Sequence, residues 1–217
     1  LQNTIKWFVD EFRDENVGLV VKSSIAKNSL MDRKRLHNDL NNFLRQMGDR
    51  KCKVYLLHGD MTDEEMHSLY NNEQIQALLS LPHGEGFGLP IFEASYSSLP
   101  VISTGWSGQL DFLVDESGNE QFYNVAFDLR PVQPEVVWDG VITKESMWAY
   151  ARETSAKQQM RLCYEDLTSG KSRWDNSGII ERFRDTKQYK KFVDSILGFD
   201  SSLIKVKEQE QEVVEFE

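Results

Sequence analysis

The chain has 217 residues, 40% hydrophobic and 28% charged, which is enough for one α/β domain with or without a tail. Its formal net charge of -10 excludes nucleic acid as a general partner, because such binding draws on Lys and Arg at phosphates. No run approaches the ~20 apolar residues that span a bilayer, and Cys52 and Cys163 lie far apart with no CxxC pair, as expected of reduced thiols in a cytoplasmic protein, free or peripheral to a membrane.

Ile5, Phe8, Val9 and Phe12 recur at helical spacing and predict a first helix over 4–15. Residues 17–22 (VGLVVK) read as a buried strand. A polar amphipathic helix follows over 29–47, carrying Leu36, Leu40, Phe43 and Leu44, with Gly48 as its stop. Residues 52–58 (CKVYLLH) form a second strand, and the chain turns at Gly59 and Asp60. Thr62 with Glu65 makes a capping box for a helix through Tyr70. A third strand is predicted over 75–81, then a Gly-rich loop, a helix from Pro90 to about Ser97, and a fourth strand over 99–103.

Apolar strands that alternate with helices predict a parallel sheet with helices on both faces. The pattern weakens after Asp115. Residues 116–142 read as irregular, with Pro131 and Pro134. A long helix is predicted over 146–167, beginning with Met147 and Trp148, and another over 176–197, so the domain carries a helical C-terminal extension. Residues 1–204 are read as one domain and 205–217 as a charged, mobile tail without a core-forming pattern.

The chemistry-bearing segment is 80–102, SLPHGEGFGLPIFEASYSSLPVI. Gly84, Gly86 and Gly88 let the backbone approach a ligand closely and adopt positive φ. Pro90 suits the first position of the next helix. Loop amides and a helix N-terminus therefore converge on one point that favours an anion, with a diphosphate the evident candidate. Glu85 in the loop and Glu93 in the first helical turn flank that point. They would repel phosphates, so they are expected to accept hydrogen bonds from sugar hydroxyls on either side. A dinucleotide fingerprint fails because position 89 is Leu where a third Gly is needed, and a P-loop fails because no Gly-Lys-Ser/Thr follows. A merely structural turn, with Glu85 solvated and Glu93 placed for the helix dipole, remains as the plain alternative.

The run Gly84-Glu85-Gly86-Phe87-Gly88-Leu89-Pro90, with Glu93-Ala94 after it, resembles the E-x7-E motif of retaining glycosyltransferases of the group 1 (family 4) type. Residues 99–102 (LPVI), 106–113 (WSGQLDFL) and 61–70 (MTDEEMHSLY) also resemble that family, and the resemblance spans roughly residues 4–115. It implies the C-terminal, donor-binding half of an enzyme with two facing Rossmann-like domains (GT-B). It further implies that Glu85 contacts the transferred sugar as the catalytic-site carboxylate. Phe87, Gly88 and Leu89 would offer amides to the sugar and distal phosphate, and Glu93 would bind the ribose. Gly59, Asp60 and Thr62 would lie near the base, with Lys22 and Ser23 at the end of the first visible strand. The implied substrates are a nucleoside-diphosphate sugar and a hydroxyl acceptor. No cofactor and no metal are expected, since no DxD pair or metal-spaced cluster is present.

One feature departs from the family. The Arg and Lys that clamp the diphosphate there sit five or six residues apart after the first strand of this domain. Lys22 and Lys27 have that spacing, but matching them leaves the domain one strand short before the loop. The better match places that pair before Leu1, so a first strand and the acceptor-binding half are expected on a longer chain or a partner polypeptide. A non-catalytic donor-binding or scaffolding subunit is the rival reading. A sugar-nucleotide epimerase is a third, without an acid/base histidine set behind it. His83 is read as a loop histidine or a contact to the donor sugar or leaving group, Trp106 as acceptor-cleft lining or core, and Trp138, Trp148 and Trp174 as core or interdomain packing.

Overall fold

The computed structural model describes residues 1–25, 29–171, 177–198 and 200. Lys27, Trp174 and the 205–217 tail lie outside the described residues. The chain forms two compact units, Leu1–Asn176 and Ser177–Glu217.

In the first unit, β1 (Gly18–Ser23) pairs in parallel with β2 (Lys53–His58), aligning Ser23 with His58 at their C-terminal ends. A second parallel sheet has the order β3 (Leu78–Ser80), β4 (Val101–Thr104), β5 (Tyr123–Val125). β6 (Phe127–Pro131) and β7 (Met147–Ala151) make an antiparallel pair. The expected parallel strands are present, but in two small sheets, and among the described residues β1 and β3 each pair along one edge only.

Helices seal these sheets. Ile5, Phe8, Val9 and Phe12 of α1 (Gln2–Phe12), Leu44 of α2 (Leu30–Arg45) and Ala156, Met160 and Cys163 of α6 (Glu153–Thr168) share one core with Val21, Cys52, Ile102, Tyr123 and Val125. Burying this many large apolar side chains, at about 1.5–3 kcal/mol each, is the main force holding the unit together. Arg161 ties α6 to α1 by donating to the Glu11 carboxylate at 2.7 Å and the Glu11 carbonyl at 2.7 Å. Strand alternation sends Val101 to the face opposite Ile102. There β4 meets α4 (Leu89–Tyr96), while α6 contacts β4 from the Ile102 side, so all four residues of β4 are buried.

The capping boxes form as the sequence predicts for α3 (Asp63–Tyr70), where Thr62 accepts from the Glu65 amide and Glu65 accepts from the Thr62 amide. A second box, Ser29 with Asp32, starts α2. Two expectations are corrected. The stretch 116–142 is not irregular throughout: it holds β5, β6 and a 3-10 turn at Pro134–Val136. The helix expected over 146–167 begins only at Glu153, because 147–151 (MWAYA) pairs with 127–131 as β7. Met and Ala favour helix intrinsically, and the cross-strand partner overrides that preference.

The second unit contains α7 (Ser177–Arg182) and α8 (Asp185–Leu197), matching the helix expected over 176–197 apart from a break after Arg182. Lys190 of α8 bonds to Asp194 at 2.7 Å and pairs with Asp200. Among the described residues, no helix is long and apolar enough to cross a membrane.

Candidate functional site

The Gly-rich loop leaves the C-terminal end of β3 and enters α4 through Gly88. Gly88 is the N-cap residue, in the left-handed region at φ +88°. Only glycine adopts that conformation without strain. Pro90 stands at the second helical position instead of the first, and Glu93 at the fifth, in the second turn. That corrects the expected placement and bears on the plain alternative, since dipole stabilisation of a carboxylate falls off within the first turn. Glu93 is exposed and engages the hydroxyl of Tyr70, the buried last residue of α3. Burial, with the Glu93 charge added, pushes the Tyr70 phenol up to about 12. Tyr70 is therefore a neutral hydroxyl on α3 beside the Glu93 carboxylate.

A turn after β4 supports the loop from beneath. Ser107, itself at φ +79°, donates its hydroxyl to the Glu85 carbonyl at 2.7 Å and accepts the Glu85 amide at 3.2 Å. The Gly108 amide donates to the same carbonyl at 3.0 Å. Gln109 is fully buried below and donates to the Thr104 carbonyl at 3.1 Å. The Glu85 backbone is thus fixed by three hydrogen bonds to two consecutive residues. Its side chain runs back toward Gly88, with Cβ and Cγ 3.5 Å from where a Gly88 Cβ would stand. Phe87 packs on Phe92 and Phe112, at ring-centroid distances of 5.2 and 5.1 Å, which anchors the loop to α4 and to the short helix α5 (Leu110–Leu113).

The carbonyl of Gly88 is taken up by the amides of Ile91 and Phe92. Among the described residues, the amides of Gly86, Gly88 and Leu89 donate to no protein acceptor. Unpaired donors gathered at a helix N-terminus form a site for a negatively charged oxygen. Here the Glu85 side chain runs beside Gly88, and Glu93 follows in the second turn of α4.

The remaining expected site residues gather elsewhere. Lys22 and Ser23 end β1 next to the end of β2, and the Lys22 ammonium lies 3.5 Å from the Gly59 carbonyl. Asp60 and Thr62 are exposed, and the Thr62 hydroxyl is engaged in its helix cap. The described link from this region to the loop is the α3–α4 contact that carries Tyr70 to Glu93. His83 and Trp148 belong to neither group of expected residues, yet they stack face to face, with ring planes 5° apart. Trp106 is half-buried against Phe127, and its indole nitrogen lies near Gly84. Trp138 is not core: it is 67% exposed. Among the described residues no group of His, Cys, Asp and Glu is arranged to hold a metal ion.

Sequence reasoning gave Tyr70, Ser107, Gly108 and Gln109 no role in the site. Ser-Gly directly after a strand is a turn signal, but nothing local says that this turn carries another loop.

No family model matches the chain. A stretch of 92 residues, 42% of the chain, is 35% identical to the serotype-specific mannosyltransferase WbdA of Escherichia coli, in two forms of that protein. The similarity is thus to a glycosyltransferase, and the chain covers 10% of the length of one form and 9% of the other.

Proposed function

We propose that the chain is the donor-binding part of a retaining glycosyltransferase of the group 1 (family 4) type, with a GT-B arrangement. It would move a sugar from a nucleoside-diphosphate sugar to a hydroxyl acceptor. The observation that carries this reading is the set of unpaired amides of Gly86, Gly88 and Leu89 at the start of α4, flanked by Glu85 and Glu93. Mannose is the first sugar to test, because the relatives are mannosyltransferases.

In this reading the diphosphate sits on the loop amides and the α4 N-terminus. Negative charge grows on it as the glycosidic bond breaks, and fixed donors that need no reorganisation stabilise that charge. Glu85 accepts from hydroxyls of the transferred sugar. Glu93, beside Tyr70, accepts from the ribose. No side chain is assigned as nucleophile or base; retention follows from the leaving phosphate assisting the incoming hydroxyl on the same face. Lys22, Ser23, Gly59, Asp60 and Thr62 border the base. A first strand of this domain, for which β1 and β3 each have an unpaired edge among the described residues, and the acceptor-binding half would come from the same polypeptide or a partner.

Two results are expected. Calorimetry with nucleoside diphosphates should show binding in EDTA; binding that appears only with added divalent ion would overturn metal independence. Glu93→Gln keeps the shape and removes the charge. A hydrogen bond to a charged acceptor contributes roughly 1.5–3 kcal/mol, so donor affinity should fall about ten-fold or more. Because Glu93 is exposed, the melting temperature should hardly change. Unchanged affinity would reduce Glu93 to a surface residue of α4.

A further inference from the structure

His83 immediately precedes the donor loop, and the β6–β7 hairpin holds it from two directions. Its carbonyl accepts the Ala149 amide at 2.9 Å, and its ring nitrogen Nδ1 lies 2.7 Å from the Ala149 carbonyl. A carbonyl can only accept, so Nδ1 carries the proton and donates it. The ring also stacks on Trp148 at 4.9 Å between centroids and leans on Tyr150 at 4.6 Å. Alternation along β7 puts these two rings on the same side of the strand, one on each side of Ala149.

An exposed histidine ordinarily samples several rotamers. This one is exposed yet restrained by a hydrogen bond and two rings. Pinning the hairpin would need only Nδ1. The other nitrogen, Nε2, makes no hydrogen bond among the described residues. With Nδ1 protonated, the neutral ring presents Nε2 as a fixed acceptor. His83 directly precedes Gly84 in the chain, at the end of the loop away from the α4 N-terminus, where Trp106 and Ser107 also approach. In the donor-site reading the phosphates take the helix end of the loop, which leaves the Gly84 end for a hydroxyl-bearing group.

We propose that His83 contacts the transferred sugar, its Nε2 accepting a hydrogen bond from one of the sugar's hydroxyls while the β6–β7 hairpin holds the ring in place. The inference rests on the donor-site reading above and adds to it a residue that discriminates the sugar from the bare nucleotide. An imidazole fixed before the ligand arrives loses little freedom on binding, so its hydrogen bond registers in affinity.

The test compares His83→Asn with the wild-type chain. Asparagine places an amide N–H near the position of Nδ1, which keeps the bond to Ala149, but it has nothing at Nε2. Dissociation constants are measured for GDP-mannose and UDP-glucose and for GDP and UDP. The expected result is that the nucleotide sugar that binds the wild type is weakened about three- to ten-fold, the worth of one neutral hydrogen bond. Its nucleoside diphosphate binds as before. As a second readout, the His83 Nε2 nitrogen resonance should move on adding the nucleotide sugar and stay in place on adding the diphosphate. If the variant binds both as the wild type does, His83 only secures the hairpin and the inference is overturned. Should the wild type bind none of the four compounds, the donor-site reading falls and this inference with it.

Discussion

Gly108→Ala is expected to abolish donor binding, although the substitution adds one methyl group and lies outside the loop itself. A Cβ at Gly108 would stand 2.6 Å from the Gly86 carbonyl carbon and 2.8 Å from the Glu85 carbonyl oxygen. Both neighbours are backbone, so the clash cannot be relieved by a rotamer change. The loop must lift off the turn that carries it, and the bond from the Gly108 amide to the Glu85 carbonyl goes with it. Overpacking of this kind costs about 1–3 kcal/mol of stability, or roughly 2–12 °C in melting temperature for a chain of this size. The binding loss should be larger. Two or three amides that each contribute roughly 1.5–3 kcal/mol to a charged ligand lose their common aim, so affinity should fall about a hundred-fold or more. Calorimetry and thermal melting on the same sample check this. A variant that binds nucleoside diphosphate normally would mean that the loop needs no support from the Ser107–Gly108 turn.

Gly88→Val should be nearly as severe, for a different reason. Gly88 occupies φ +88°, which a β-branched residue adopts only under strain. The branched side chain would also press on Glu85, whose Cβ and Cγ already lie at contact distance from a Cβ there. Valine therefore turns the start of α4 away from the ligand and displaces the loop carboxylate in one step. Strain of order 1–3 kcal/mol is expected in stability. Donor affinity should fall about a hundred-fold or more, since amides and carboxylate are lost together. If the variant stays folded at the assay temperature and binds as the wild type does, the loop is a structural turn and no donor site.

The loop itself was legible because its signals are local. Gly84, Gly86, Gly88 and Pro90 specify backbone freedom followed by a helix start; of the three glycines only Gly88 takes a positive φ, and the helix boundary moves by one residue. The box that starts α3 is equally local. What holds the loop was not legible. Ser107 and Gly108 lie some twenty residues on, and only pairing of β3 with β4 brings them under Glu85. Tyr70 reads as a core residue closing a helix, and its tie to Glu93 exists because α3 packs on α4. The misread stretch 147–151 has the same cause. Met147, Ala149 and Ala151 count toward helix in any window, and the ladder with 127–131 that makes them a strand is a tertiary fact. With β7 read as helix, nothing in the sequence says what holds His83, so a loop histidine and a contact to the donor sugar or leaving group stand side by side; its clamp is made of β7 residues.

The division of the parallel strands between two sheets was not foreseen from the apolar runs, which mark strands without fixing their neighbours. β1 and β2 are less buried than the apolar run suggests: Val20 is 39% and Tyr55 50% exposed. β4, covered by α6 on one face and α4 on the other, behaves as the fully buried strand that the sequence predicts.

The most direct measurement is an amide nitrogen–proton NMR titration of the chain with GDP and UDP in EDTA. Saturable shifts are expected for one or both nucleotides, largest at Gly86, Gly88 and Leu89, with a second group at Lys22, Ser23 and Gly59. Glu93→Gln should weaken the titration, and Gly108→Ala should abolish it. Saturable shifts centred elsewhere in the chain, with the amides of residues 84–89 unmoved, would contradict the assignment of this loop as the donor site.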